Sequence, residues 1–214
     1  MNADSPLEKL KLTPINYFEV ELDLCKLSAK EKTPGRSHLL PDLSAFTREE
    51  IFSALFMAWS PEGIHVRAEV DSPPEFSTFP DVERSDSLEL FFDTRDIKSA
   101  GFNHKFCHHF VFLLEAVEGT QKAEVTHFRT EDRHELCEST LLELKATRKK
   151  QSYSLEIFIP AACLVGYDPA QLDRLGFSYR VNRAQGDPQH FTVASDEFKI
   201  DQNPSLWASI RLVS

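Results

Sequence analysis

The chain has 214 residues, and its hydrophobic content of 41% with 17 Phe supplies a buried core without the help of disulfides. Its formal net charge of -10 argues against nucleic acids and anionic membranes as partners, because no basic stripe is present to displace phosphate counterions. No signal-peptide core and no run of about 18 apolar residues occurs, so the chain as given is expected to be cytoplasmic.

Short stretches in which apolar and polar residues alternate follow one another along the whole chain, and no long stretch keeps a helical period. This pattern favours antiparallel sheets. Turn residues at 60–63 and 148–151 predict hairpins, whereas segments 26–41 and 71–85, rich in Pro, Ser and charge, are expected to be long loops. In chain order, strands are predicted at 15–24, 51–60, 63–71, 86–93, 106–116, 122–129, 139–148, 151–159, 174–182, 190–194 and 206–213.

These elements predict an all-β fold, an antiparallel and jelly-roll-like β-sandwich with few short helical turns. Neither long loop has the character of a domain boundary, so residues 1–214 are expected to form one domain with 1–14 as a flexible N-terminal segment. Trp59 and Trp207 lie inside strand patterns, and we expect both indoles to pack in the core between the two sheets.

Cysteine and histidine spacing gives no metal signature. The cysteines at 25, 107, 137 and 163 lack Cys-x-x-Cys spacing, so free and mostly buried thiols are predicted. His108 and His109 point to opposite faces of a strand, and the adjacent pair cannot both ligate one ion without a bulge. His109 shares a face with Cys107, and His104 with His108, but no further pair completes a tetrahedral site. No bound metal is therefore predicted.

Enzyme signatures are equally scarce. No nucleophile elbow, no zinc-protease helix motif and no phosphate-binding glycine loop is present, and the chain holds seven Gly in all. Glu89 and Glu156 are the carboxylates that would suggest a glycosidase pair, but both fall in strands of a binding-type sandwich. The chain is therefore predicted not to be an enzyme.

Four segments share their order and spacing with one known family. They are the acidic strand SDSLELFFDTRD (85–96), CHHFVFLLEAVEG (107–119), SYSLEIFIPAACL (152–164), and the closing strands LGFSYRVNRAQGD (175–187) with LWASIRL (206–212). Together they resemble family 9 carbohydrate-binding modules over roughly residues 50–214. The resemblance implies an antiparallel sandwich with a concave sheet face, a topology shared with the DOMON-like group that includes haem-binding members.

In sugar-binding members of that family two tryptophans clamp a terminal sugar by stacking on its apolar face. The corresponding positions here fall at Val82 or Glu83 and near Asp201, so both tryptophans are expected to be absent. Glu89 matches the ligand-binding glutamate of the family, whereas Arg180 stands where a glutamine is typical and Val111 where an arginine often contacts sugar.

Strand alternation places polar residues of three segments on matching faces, so Glu89 and Arg180 are expected to meet if those strands are neighbours. The pair is then either a structural ion pair or the floor of a pocket, and an arginine there would also suit an anionic ligand. The residues predicted to bind the ligand are Glu89, His109, Arg180, Asn182 and Ser87.

The leading hypothesis is a non-catalytic module that binds a saccharide or an anionic small molecule. One alternative is a haem-binding DOMON-like domain, in which histidines would substitute for the usual axial methionine, because Met57, the one internal methionine, falls in a core-like strand. Another is a protein-interaction scaffold that has lost its pocket. No cofactor is predicted, although a structural calcium, which related modules use to pin loops, would take oxygen ligands from Asp71, Asp93 or Asp96.

Overall fold

Two β-sheets packed face to face make up the part of the chain that the computed structural model describes, residues 19–193 and 198–214. A short helix, α1 (Ser44–Thr47), and several single turns of 3-10 helix lie between the strands. The strands are β1 Glu21–Cys25, β2 Ser53–Ser60, β3 Gly63–Val70, β4 Ser87–Asp93, β5 Cys107–Val117, β6 Thr120–Glu124, β7 Glu143–Arg148, β8 Tyr153–Pro160, β9 Arg174–Asn182, β10 Gln189–His190 and β11 Ala208–Val213.

The larger sheet has the order β1-β11-β9-β4-β5-β6, with β10 paired to β9, and the smaller sheet has the order β2-β3-β8-β7. The β2–β3 and β7–β8 pairs are hairpins, as the turn residues predict. All strand pairs are antiparallel except β1 and β11, which are parallel. These two strands lie near opposite ends of the chain, so no short turn forces them to run in opposite directions.

The main core lies between the sheets, and the alternation in the sequence explains how it is filled. Along β8 buried and half-buried residues alternate, because one face of the smaller sheet is covered and the other is not. Strand β4 is buried at every residue, since it runs through the middle of the larger sheet and loops cover the outer face as well. The outer face of the larger sheet is therefore covered along β4.

The all-β sandwich is confirmed, and the predicted strands match observed ones to within a few residues, except that 122–129 extends well beyond the end of β6 at Glu124. The start of the predicted strand 15–24 and the end of the predicted strand 190–194 lie outside the described residues. The segment 1–14 lies wholly outside them. Segments 26–41 and 71–85 are irregular connections, as expected. Among the described residues, no helix has the length and apolar character needed to cross a membrane.

The expectation of four free thiols is wrong for two of them. Cys137 and Cys163 form a disulfide with their Cα atoms 5.0 Å apart, while Cys107 is buried and Cys25 is exposed, both as free thiols. The irregular segment after β6 folds back against the 3-10 turn that follows β8, and this contact between distant parts of the chain is not encoded in cysteine spacing. The bond fixes the 125–142 segment to the smaller sheet.

The two tryptophans are both buried, but they do not share one core. Trp59 belongs to the main core between the sheets, and its Nε1 donates to the carbonyl oxygen of Val213 at 2.9 Å. Trp207 instead packs with Phe91 and Ile200 on the outer face of the larger sheet. The prediction that both indoles lie between the sheets is thus wrong for Trp207, because Ala208 and Ile210 of β11 face the main core and Trp207, one residue before Ala208, points to the opposite face.

Candidate ligand-binding site

Three neighbouring strands carry the site. Strand β4 lies between β5 and β9, so Glu89 is directly opposite Val111 on one side and Arg180 on the other. Successive side chains of a strand alternate between its faces, and the residues that flank Glu89 on β4 enter the main core. Glu89 consequently points to the outer face, where His109 of β5 and Asn182 of β9 also project.

A single hydrogen-bonded network joins these side chains. Arg180 binds the Glu89 carboxylate bidentately, donating from Nε to Oε1 at 2.6 Å and from Nη2 to Oε2 at 3.0 Å. Nε2 of His109 lies 2.8 Å from Oε2. Asn182 donates from Nδ2 to Glu89 Oε1 at 2.7 Å and to Ser87 Oγ at 3.0 Å. We call these five residues the outer network.

The electrostatics of the outer network follow from its depth. Glu89 is 1% exposed, and burial by itself would raise its pKa, but the hydrogen bond from His109 and the positive charge of Arg180 hold the pKa well below its ordinary value. Burial likewise opposes the charge of Arg180, yet the Glu89 carboxylate keeps the pKa of the guanidinium raised. The carboxylate and the guanidinium therefore remain ionised together, and their charges offset one another inside the fold.

The rim above the outer network is acidic rather than aromatic. Glu83 is 69% exposed along its side chain, and its Oε1 lies 3.4 Å from Nη1 of Arg180. Val82 is buried in an apolar cluster with Val111, and the main-chain oxygen of Asp201 accepts a hydrogen bond from the side chain of Asn103. None of the positions expected to carry the clamp holds a tryptophan.

The structure brings together every residue predicted to form the floor, namely Ser87, Glu89, His109, Arg180 and Asn182. It separates the glycosidase pair, because Glu156 lies in the smaller sheet and bonds Lys145. It also removes Met57 from the haem hypothesis, since this side chain is 1% exposed within the main core. Whether the outer network binds a ligand stays a prediction.

Two of the three carboxylates named for calcium, those of Asp93 and Asp96, already have partners, whereas Asp71 is exposed. Asp93 accepts backbone N–H bonds from Arg95 and Ile97 at 2.9 and 2.6 Å. Burial raises the pKa of Asp93, but the side chain of His104 and these backbone bonds hold it below the ordinary value. Asp96 is paired with Lys98 and accepts a hydrogen bond from Ser209. The carboxylates of Asp93 and Asp96 thus stabilise the turn that follows β4.

One polar cluster escaped the sequence reasoning entirely. His108 points inward from β5, opposite to His109, and meets Glu124 of β6 and His134 of the following segment. The strand alternation indicates the inward direction of His108, and the β5–β6 pairing places Glu124 beside it. The approach of His134 has no local signal, because it lies in an irregular segment with neither strand nor helix periodicity.

Comparisons with known proteins agree with this architecture. No curated protein sequence matches the chain. A carbohydrate-binding module of family 9 from Caldicellulosiruptor kristjanssonii in complex with cellotriose has a similar fold, with a TM-score of 0.62, 19% identity, and coverage of 90% of this chain and 93% of that one. The module from the same organism in complex with glucose gives a TM-score of 0.62 at 17% identity, covering 91% and 96%. The family model described as carbohydrate family 9 binding domain-like matches residues 44–214, and the chain belongs to that family.

Proposed function

We propose that the protein is a non-catalytic binding module that holds a saccharide on the outer face of the larger sheet, against the outer network. The observation that carries this proposal is the convergence of five polar side chains from three neighbouring strands on a face that does not form the main core. Buried polar groups are costly unless they are hydrogen-bonded, and these five bond one another in a single patch beside the exposed side chain of Glu83.

The charges favour a neutral ligand over an anionic one. Glu89 occupies the Nε and Nη2 donors of Arg180, which is the geometry that an anionic ligand would otherwise use. Glu83 stands beside Nη1, so an incoming carboxylate or phosphate would meet a like charge. Hydroxyl groups both donate and accept hydrogen bonds, and they replace the weak rim contact of Glu83 without adding charge. A saccharide therefore fits the site better than the anion that the arginine alone had suggested.

The related modules support the choice of test ligands, since their structures contain cellotriose and glucose. Aromatic stacking contributes about 0.5–1.5 kcal/mol beyond area burial, and no tryptophan stands at the rim positions. We expect binding to be weak, with a dissociation constant on the order of 1 mM, equivalent to about -4 kcal/mol.

The experiment is a titration of the 15N-labelled chain with glucose, cellobiose and cellotriose, followed by amide chemical shifts. Saturable changes should cluster on β4, β5 and β9 around Glu89. Glu89→Gln should abolish them, whereas the matched control Glu156→Gln, in the middle of a strand of the smaller sheet, should retain them. Absence of saturable changes with every saccharide overturns the proposal, and so do changes confined to the smaller sheet, an outcome that the wild-type titration reveals even if Glu89→Gln does not fold.

A further inference from the structure

The cluster of His108, Glu124 and His134, here called the inner cluster, lies on the core-facing side of the larger sheet. Its side chains are 0%, 0% and 6% exposed. Nδ1 of His108 lies 2.9 Å and Nε2 of His134 lies 2.8 Å from the same oxygen, Oε1 of Glu124. One atom from each residue thus converges within 4.8 Å of the others.

The proton positions around His134 make this convergence unusual. Nδ1 of His134 lies 2.8 Å from the carbonyl oxygen of Lys105, which can only accept, so Nδ1 carries the proton. In the neutral ring the lone pair of Nε2 then faces Glu124 Oε1, which is also an acceptor. The hydroxyl of Thr126 already donates to that oxygen at 2.8 Å, because it receives the backbone N–H of His109 on its other side.

Two arrangements relieve the facing lone pairs. Either His134 takes up a second proton and becomes a buried imidazolium, or a cation accepts the lone pairs of the nitrogen and the oxygen together. His108 favours the second arrangement, because its Nδ1 lies 2.9 Å from the same carboxylate oxygen and offers a second ring nitrogen to a shared ion, while its Nε2 is buried without a hydrogen-bond partner.

We propose that the inner cluster binds one divalent transition-metal ion of the zinc class through His108 Nδ1, Glu124 Oε1 and His134 Nε2. Two imidazoles and one carboxylate are a ligand set that Zn²⁺ uses in proteins. Metal–ligand bonds of about 2.0–2.1 Å place tetrahedral ligands roughly 3.3 Å apart, so the side chains need to separate by only a few tenths of an ångström. The carbonyl oxygen of Lys105 then orients the ring of His134 through its Nδ1, and the hydroxyl of Thr126 orients the carboxylate of Glu124.

A second cluster in the same region shows what a non-binding arrangement looks like. Asp93, His104 and Cys107 also converge within 4.8 Å. Here Nδ1 of His104 accepts the backbone N–H of Phe106 at 3.3 Å, so the proton lies on Nε2 and faces the Asp93 carboxylate at 3.5 Å. Burial raises the pKa of the Cys107 thiol, which keeps its proton. No lone pair of a neutral ring is directed into this cluster, and it needs no ion.

The bound ion would act as a staple for the 125–142 segment. Glu124 ends β6, and its second oxygen accepts the backbone N–H of Cys137 at 2.7 Å. The sulfur of Cys137 is bonded to Cys163 and is unavailable as a ligand. The segment is then fixed at two points, by the disulfide to the smaller sheet and by the ion to the larger one.

The test uses the full chain under non-reducing conditions, unfolded in urea with EDTA and refolded with ZnCl2 or CoCl2. We expect one zinc per chain after gel filtration and a rise in Tm that CaCl2 does not produce. His134→Gln and Glu124→Gln should weaken zinc binding by about 100-fold or more, since even outer-shell changes cost about 10–100-fold. His127→Gln is the matched control, because this histidine lies exposed in the same segment, and it should bind like the wild type.

The visible absorption spectrum of the cobalt form distinguishes nitrogen and oxygen ligands from thiolate ligands. The wild-type cobalt form should show the visible bands of a nitrogen and oxygen site without a thiolate charge-transfer band. Substoichiometric zinc, equal affinity in His134→Gln and His127→Gln, or a thiolate band would each overturn the proposal. If the His134 and Glu124 variants do not fold, the wild-type stoichiometry and the cobalt spectrum still decide it.

Discussion

Adjacent histidines on β5 serve two buried glutamates on opposite faces of one sheet. His109 bonds Glu89 in the outer network, and His108 bonds Glu124 in the inner cluster. Both carboxylates are almost inaccessible, and both keep a lowered pKa against the effect of burial, that of Glu124 at about 2. The two carboxylates differ in their second charged or titratable partner. It is Arg180 for Glu89 in the outer network and His134 for Glu124 in the inner cluster.

That difference determines how each carboxylate is neutralised. A guanidinium is positive at every accessible pH, so Glu89 has a permanent counter-charge. An imidazole is positive only when it binds a second proton, so Glu124 depends on a proton or, as proposed, on a metal ion. The charge of Glu89 in the outer network is therefore balanced at any pH. The charge of Glu124 in the inner cluster is balanced only when a proton or, as proposed, a metal ion is bound.

The largest expected effect comes from removing the permanent counter-charge. Arg180→Met leaves Glu89 buried without it, and we expect the free energy of unfolding to fall by about 3–5 kcal/mol at neutral pH. Urea unfolding measures the loss. The double variant Glu89→Leu with Arg180→Met should recover a large part of it, because no buried charge remains. A loss below about 1 kcal/mol in the single variant would contradict the view of the pair as a fixed unit.

The inner cluster should be more tolerant in the metal-free protein. His134→Ala leaves the Glu124 carboxylate with His108, Thr126 and the backbone N–H of Cys137, so one charge-assisted hydrogen bond is lost. We expect a destabilisation of about 1.5–3 kcal/mol by urea unfolding in EDTA. A loss equal to that of Arg180→Met would show that Glu124 depends on His134 as strongly as Glu89 depends on Arg180. It would contradict the proposed difference between a permanent and a conditional counter-charge.

Acid should reveal the Glu89 contribution in a graded way. The pKa of Glu89 is lowered from 4.5 in the folded protein, so on acidification the unfolded state binds a proton first. The contribution of Glu89 to the free energy of unfolding is therefore fully present above about pH 4.5 and is lost as pH falls toward the folded-state pKa. Each unit of pKa difference corresponds to about 1.4 kcal/mol. Glu89→Gln should thus show a flatter stability profile below about pH 4.5 than the wild type. Parallel profiles would mean that the carboxyl has its ordinary pKa in the fold.

The smallest effect is expected at the sheet edge. Arg211 pairs bidentately with Asp23 across β1 and β11, but both side chains are more than half exposed. Exposed pairs lose as much to solvation and side-chain entropy as they gain. Arg211→Ala should leave the unfolding midpoint unchanged at moderate salt, and a clear drop would show that the parallel β1–β11 pair depends on this contact.

The sequence predicted the strands and the outer network well, for a local reason. Alternation fixes which side of a strand each residue faces, so Glu89 and Arg180 were correctly expected on one face once β4 and β9 were neighbours. The same rule separated His108 from His109. Applied to β11, it also accounts for Trp207, which faces away from the main core because Ala208 faces into it. It gives no information on His134 and Cys137, which lie in an irregular segment.

What the sequence determined by itself is the pattern of short alternating strands, the turns between them and the face that each strand residue occupies, since all of these follow from backbone geometry over a few residues. Only the tertiary structure decided which distant side chains meet. The Cys137–Cys163 bond, the approach of His134 to Glu124 and the burial of Trp207 on the outer face depend on how long irregular segments pack over the sheets. Such packing is set by the whole molecule, because loops carry no periodicity that could encode it.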